Sequence, residues 1–297
     1  MADAAWSKLL EKDVVLLDGG WGTEFQKRGL QPGAHPDLCN LENPELVKQV
    51  AKSYVDAGSD VILTNTFGSN RFVLEKHGVA DKAAEINRRG AELSLEAAAT
   101  ATDRDVLVIA SVGPTGVMLM LGEVSEQDIY ESYLEQIAAL KEGGVRGVVV
   151  ETSSDPQEAV QALKAAKSLG MIAVVSAVFD SGRKKDRTMM GATPEAYVKA
   201  ALDAGADAIG SNCGRGIESF HEICVRMREA APTTPIWMKG NAGLPTTVDG
   251  KTTYSQTPEE FADGAMALVP EGAKFVGGCC GTTPEFIAEL RRRIDAR

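Results

Sequence analysis

What this sequence lacks narrows it first. No window approaches the run of about eighteen apolar residues that a membrane-spanning helix needs. The opening segment Met1–Lys12 has no basic stretch leading into an apolar one, so no signal peptide is expected. Positive charge is in deficit: 31 Lys and Arg against 42 Asp and Glu leave a net charge of −11. That is the wrong sign for displacing counterions from nucleic acid. Histidine occurs three times, and His35, His77 and His221 all read as loop or helix positions, none of them a convincing base or metal ligand. Five cysteines, an odd number in a chain without an export signal, do not make a disulfide framework. They suit a reducing cytoplasm, where clustered cysteines more often bind metal or do chemistry. No linker or low-complexity segment breaks the chain, so residues 1–297 read as a single domain.

What is present is ordinary α/β material: 44% hydrophobic residues, 25% charged and 30 glycines. Short β-branched runs recur at Val14–Leu17, Val61–Leu63, Val106–Ala110, Gly147–Val150, Ile172–Ser176, Ala208–Ile209, Ile236–Met238 and Lys274–Val276. Amphipathic stretches lie between them, several opening on Pro, whose missing N–H costs nothing at the first helical position. Eight such alternations over this length predict a (β/α)8 TIM barrel. A doubly wound open sheet is the competing α/β reading. The polar and glycine-rich segments favour the barrel, because nearly all of them follow strands directly. In a barrel those points meet on one rim, where active sites are built.

Three of the cysteines stand in such places. Cys279 and Cys280 lie in Gly277-Gly278-Cys279-Cys280-Gly281-Thr282, and Cys213 lies in Asn212-Cys213-Gly214, far earlier in the chain. Three thiolates suit zinc, which binds sulfur at about 2.3 Å and keeps a fourth tetrahedral position for water or substrate when only three protein ligands are present. Buried cysteines packed as small hydrophobes and a vicinal redox pair remain as alternatives. Cys224 reads as core, and Cys39 has no assigned role.

Asp18 and Glu151 each place a charge at the end of an apolar strand. Such charges are commonly solvated, yet two carboxylates facing one cavity would hold a ligand ammonium group. The glycines of Asp18-Gly19-Gly20-Trp21-Gly22-Thr23 free backbone N–H groups for an anion such as a carboxylate. Ammonium and carboxylate sites side by side are what an amino acid needs. Asn241, in an Asn-Ala-Gly turn, is placed to touch a metal or orient a substrate. The basic run Gly182–Arg187 reads as a solvated loop or a contact for an acidic partner.

These segments, together with Thr64–Arg71, Gly113-Pro114 and Asn241-Ala242-Gly243-Leu244-Pro245, resemble the homocysteine S-methyltransferase family over essentially the whole chain. That family includes the homocysteine-binding module of cobalamin-dependent methionine synthase and betaine–homocysteine methyltransferase. The resemblance implies zinc on Cys213, Cys279 and Cys280, with those cysteines catalytic through the metal. It implies that Asp18 and Glu151 hold the homocysteine ammonium, and that the amides around Gly19, Gly20 and Trp21 hold its carboxylate. Asn241 matches a position that approaches the metal in some relatives when homocysteine is absent. The chain departs from the family at Gly240, where Pro is usual, and at Gly216-Ile217, where Gly-Pro is usual; both changes bear on loop rigidity and acceptor fit.

The implied chemistry is methyl transfer to a metal-bound thiolate, which needs no side-chain general base. Residues 1–297 leave no room for donor-binding domains. The expected donor is therefore a separate methyl-corrinoid protein, the Thr64–Arg71 segment resembling the methionine-synthase type. A small donor (S-methylmethionine, betaine or another sulfonium), another thiol or selenol acceptor, and a non-catalytic thiol-redox or metal-binding role are the alternatives. Homo-oligomerisation is left open.

Overall fold

The computed structural model describes residues 3–31, 33–248 and 251–297; Met1 and Ala2, at the head of the Met1–Lys12 segment, lie outside them. Eight parallel strands form the barrel: β1 (Val15–Leu16), β2 (Val61–Leu63), β3 (Leu107–Val112), β4 (Gly147–Ser153), β5 (Ile172–Ala177), β6 (Ala208–Cys213), β7 (Ile236–Gly240) and, after a hairpin, β10 (Ala273–Gly278). Their order around the sheet is β1-β10-β7-β6-β5-β4-β3-β2. The hairpin pairs β8 (Thr246–Val248) antiparallel with β9 (Lys251–Thr253). The eight expected strands are all present, and six of them run further toward the rim than expected.

The helices are α1 (Ala4–Glu11), α2 (Trp21–Lys27), α3 (Cys39–Glu42), α4 (Pro44–Asp56), α5 (Arg71–Lys76) and α6 (Ala83–Ala98). They continue with α7 (Glu126–Glu142), α8 (Pro156–Ser168), α9 (Pro194–Asp203), α10 (Phe220–Ala230), α11 (Pro258–Ala267) and α12 (Pro284–Asp295). Local chemistry sets their starts. Pro begins α4, α8, α9, α11 and α12, where its fixed φ is already helical. Ser125 with Asp128, and Thr257 with Glu260, close capping boxes on α7 and α11.

Alternation along the strands separates two cores. Val15, Leu17, Val61, Leu63, Ile109, Val149, Val174, Ala208, Trp237 and Phe275 fill the barrel interior. Ile62, Val108, Val148, Val150, Val175, Met238 and Val276 face outward and pack under the helices. The interior is closed from below by α1, whose Trp6 stacks on Phe275 with ring centroids 5.1 Å apart. Above the apolar layer the same parity delivers a polar one, two residues on: Ser111, Glu151, Ser176 and Lys239, all buried.

One seam differs from the rest. Strands β1 and β2 share no ladder among the described residues. They are joined by Asp60 N–H to Leu16 O, 2.7 Å, and by two aspartate side chains. Asp60 accepts from Leu16 N–H at 2.9 Å, and Asp18 accepts from Leu63 N–H at 2.7 Å.

Candidate active site

The three cysteines predicted to meet do meet. The sulfurs of Cys213, Cys279 and Cys280 all lie within 4.8 Å of one another. Bonds of about 2.3 Å in a tetrahedron set sulfurs about 3.8 Å apart, a separation that lies within this bound. Donor set and spacing both fit zinc. All five cysteines are free thiols. Cys39 and Cys224 are buried away from the cluster, consistent with packing roles.

The cluster is held by backbone that few other residues would adopt. Cys213 has φ 62°, followed by Gly214 at φ 70°, a turn that swings the thiol off its strand direction at some energetic cost. Asn212 steadies it: its Oδ1 accepts from Thr152 N–H at 2.8 Å and from Ser176 Oγ at 2.7 Å, and its Nδ2 donates to Thr152 Oγ1 at 2.8 Å. On the other side, Cys279 N–H donates to Gly240 O at 2.7 Å. Asn241 spans both cysteine loops, accepting from Cys280 N–H at 3.1 Å and donating to Gly214 O at 2.8 Å. Asn241 thus stands beside the cluster, where its side chain braces the two loops.

Gly19 and Gly20 are needed for closeness. A Cβ on Gly20 would lie 2.5 Å from Cys279 O, and one on Gly19 would lie 2.8 Å from Thr282 O. Gly20 N–H already donates to Thr282 O at 2.9 Å. The N–H groups opening α2 at Trp21 have no side-chain cap and are the ones left for an anion.

The thiols are strongly coupled. Hydrogen bonds from Cys279 and Cys280 pull the Cys213 thiol down to about 3. The bond to Cys213 in turn pushes Cys280 up to about 12, and bonds to Cys213 and Cys280 push Cys279 well above the usual thiol value. One proton-poor sulfur propped by two others is a cluster in want of a cation. Tyr254, just past the hairpin, packs beside it: its ring would meet a Cβ on Gly281, the residue after Cys280, at 2.3 Å.

The carboxylates also converge, with unequal surroundings. Asp18 is fully buried; its Oδ2 accepts from Trp21 Nε1 and from Leu63 N–H, both at 2.7 Å, and its Oδ1 accepts from the Lys239 ammonium. Glu151 keeps 7% exposure, and its Oε1 accepts from the Ser111 hydroxyl. Burial lifts the Glu151 carboxyl above its usual value; Lys239 and the Ser111 hydrogen bond oppose that, while Asp18 and Cys213 add to it.

Lys239 escapes a reading of the sequence that ends the seventh strand at Met238. It carries the same signal as Asp18 and Glu151, a charge following an apolar strand. Ser111 and Tyr254 were also missed, and Tyr254 has no local signal. The basic run forms a small turn closed by Ser181 and Arg187, with Arg183, Lys184 and Lys185 exposed. Thr64–Arg71 folds around buried Asp37, which accepts from Gly68 N–H and Ser69 Oγ at 2.7 Å each.

The family model described as homocysteine S-methyltransferase matches residues 15–294. The chain belongs to the homocysteine S-methyltransferase family. Methionine synthase of Mycobacterium leprae is 30% identical over 96% of this chain, and that of Mycobacterium tuberculosis 28% identical over 96%. The chain spans about a quarter of the length of these relatives: 24% and 25%. The metallated form of the homocysteine methyltransferase MmuM from Escherichia coli superposes with a TM-score of 0.81 at 22% identity, covering 97% of this chain and 98% of that one. At that identity the superposition establishes the shared barrel fold. The family itself is described as one of methyltransferases. No helix among the described residues of this chain is long and apolar enough to cross a membrane.

Proposed function

We propose that this barrel, acting as one domain over residues 1–297, is a zinc-dependent S-methyltransferase that moves a methyl group onto the thiolate of homocysteine to give methionine. The observation that carries the proposal is the convergence of Cys213, Cys279 and Cys280 beside two buried carboxylates. Zinc held by those three sulfurs would supply the Lewis acidity that lowers the pKa of the acceptor thiol.

The chain's own residues then orient the amino acid. The net negative charge of the group formed by Asp18, Glu151 and Lys239 receives its ammonium, and the uncapped start of α2, next to Gly19, Gly20 and Trp21, receives its carboxylate. Asn241 keeps the two cysteine loops in register, and Tyr254 limits water over Cys280. Fixing both ends of the acceptor aims its sulfur outward from the rim, the position a nucleophile needs for in-line attack on a methyl group. No histidine is required, in keeping with the placement of all three outside this cluster.

The donor reading is a methyl-corrinoid protein that presents its methyl at the rim, supported by the likeness to methionine synthases and by the Thr64–Arg71 segment. Five free cysteines suit a cytoplasmic setting. The test is methyl transfer to homocysteine from a methylcobalamin-loaded carrier, free methylcobalamin, methylfolate, betaine and S-methylmethionine, with zinc counted by elemental analysis. About one zinc per chain and methionine formed from the corrinoid donor support the reading. Methionine from S-methylmethionine or betaine alone replaces the donor. Activity surviving exhaustive chelation rejects the zinc reading, and reversible loss of two thiols with no metal and no methyl transfer rejects the enzyme reading.

A further inference from the structure

The two carboxylates at the site are not equivalent, and a lysine separates them. Lys239 sits at the end of β7, two residues beyond the interior Trp237, and its side chain is 2% exposed. Its ammonium is bonded to Asp18 Oδ1. With Trp21 Nε1 and Leu63 N–H on Oδ2, Asp18 accepts three hydrogen bonds, one of them from a full positive charge. A carboxylate offers about four acceptor positions, so little of Asp18 is left to a ligand. Glu151 has the reverse situation. Its Oε1 takes the Ser111 hydroxyl, and its Oε2 accepts from no described residue.

We propose that Lys239 is the built-in counter-ion of Asp18, that it withdraws Asp18 from the substrate, and that Glu151 alone holds the acceptor's ammonium group. The charges support it. Asp18 and Glu151 against Lys239 leave one surplus negative charge, which matches a single incoming ammonium. A site with both carboxylates free would hold two buried anions against one cation, and buried charges are costly unless paired. Burial works against the Lys239 ammonium, but Asp18 and Glu151 outweigh it and hold its pKa above the usual lysine value. The same bonds give Asp18 a second duty, since Leu63 N–H belongs to β2 and the contact ties β2 to β1. Lys239 is thus a positioning residue that sets the charge the site shows to its ligand. The inference deepens the homocysteine reading and rests on it.

The test compares homocysteine with 4-mercaptobutyrate, which is the same thiol acid without the amino group, by calorimetric titration of the zinc-loaded protein. Wild type is expected to prefer homocysteine by about tenfold or more, the worth of one charge-assisted hydrogen bond. Glu151→Gln should erase most of that preference. The double variant Asp18→Asn with Lys239→Met removes the internal pair without changing net charge, and should keep the preference within about threefold, less than the loss of such a bond would cause. A purely structural role for the pair would not separate these ratios. Urea unfolding of each metal-free variant reports the fold independently, with the double variant expected to be more stable than Lys239→Met alone because Asp18 is no longer left buried without its cation.

Loss of preference in the double variant, or its survival in Glu151→Gln, overturns the inference while leaving homocysteine as the acceptor. Failure of wild type to bind either thiol overturns the homocysteine reading and this inference with it.

Discussion

Asp18 and Asp60 stand at opposite ends of the same seam and do the same mechanical work. Each is fully buried, each accepts an N–H across the gap between β1 and β2, and each is paired with a lysine. The difference lies in the cation. Lys12, below, is 40% exposed, and Arg291 stands in reserve 3.4 Å from Asp60. Lys239, above, is buried, and the Asp18 and Glu151 carboxylates and the Cys279 thiol all act on its charge. One stitch is finished with a solvent-facing ion pair and serves the fold alone. The other is finished inside the functional cavity, where the ion pair also sets the electrostatics that a ligand meets. A barrel can close its ladder gap at either end, but only the rim end doubles as chemistry.

The largest effect expected at the rim has no counterpart below. Cys280→Ala removes one of the three proposed zinc ligands and should take zinc from about one per chain to near none by elemental analysis, with methyl transfer lost. The fold should survive, because the cysteines lie above the apolar interior. A variant that keeps its metal would dissolve the distinction between the two ends.

Next comes the rim ion pair itself. Lys239→Met leaves Asp18 buried without its cation and should cost about 3–5 kcal/mol in urea unfolding, as breaking one side of a buried pair does. At Gly20 the effect moves from stability to metal. Gly20→Ala puts a Cβ 2.5 Å from Cys279 O and must displace the backbone that carries a ligand. Zinc affinity should fall about 10–100-fold, the usual penalty for disturbing what orients a ligand, measured by competition with a chelator.

How far the sequence was legible follows from the same contrast. The eight strands and their helices were readable because alternation and Pro starts are local signals. The cysteine site was readable because Gly-Gly-Cys-Cys-Gly is unusual and a barrel brings strand ends together. Helices α1 and α2 and the hairpin β8–β9 were not, being short and set by tertiary contacts such as Trp6 on Phe275. The strands' extension toward the rim hid Lys239: apolar residues mark where a strand is buried in fat, whereas hydrogen bonding continues through Lys239 and Gly240, Asn212 and Cys213. Asp18 could be read as a charge at a strand end, but its three donors come from residues remote in sequence or from side-chain geometry.

Glu151→Gln sharpens the comparison through pH. The Glu151 carboxyl is raised in the folded state from an ordinary value of 4.5, burial being the main cause. The native state therefore holds this proton more tightly than the unfolded one. Its contribution to stability declines as pH rises from near 4.5 through the raised value. The glutamine variant should match wild type in urea unfolding at pH 4 and exceed it in stability at pH 8, where the buried carboxylate has lost its proton. Homocysteine binding should change the opposite way, weakened at pH 8 and indifferent to pH across the same window.

The smallest effect belongs to the lower stitch and is what gives the larger ones meaning. Lys12→Met removes a cation that water already screens, and Arg291 remains within reach of Asp60. The expected cost is about 1 kcal/mol or less, as for exposed pairs generally, with zinc content and homocysteine preference untouched. The reasoning depends on exposure: the two lysines make the same bond to the same kind of carboxylate, so only their surroundings can separate the outcomes. A loss at Lys12 as large as that at Lys239 would mean that closure of the seam, and not burial beside the thiols, sets the energetics at both ends.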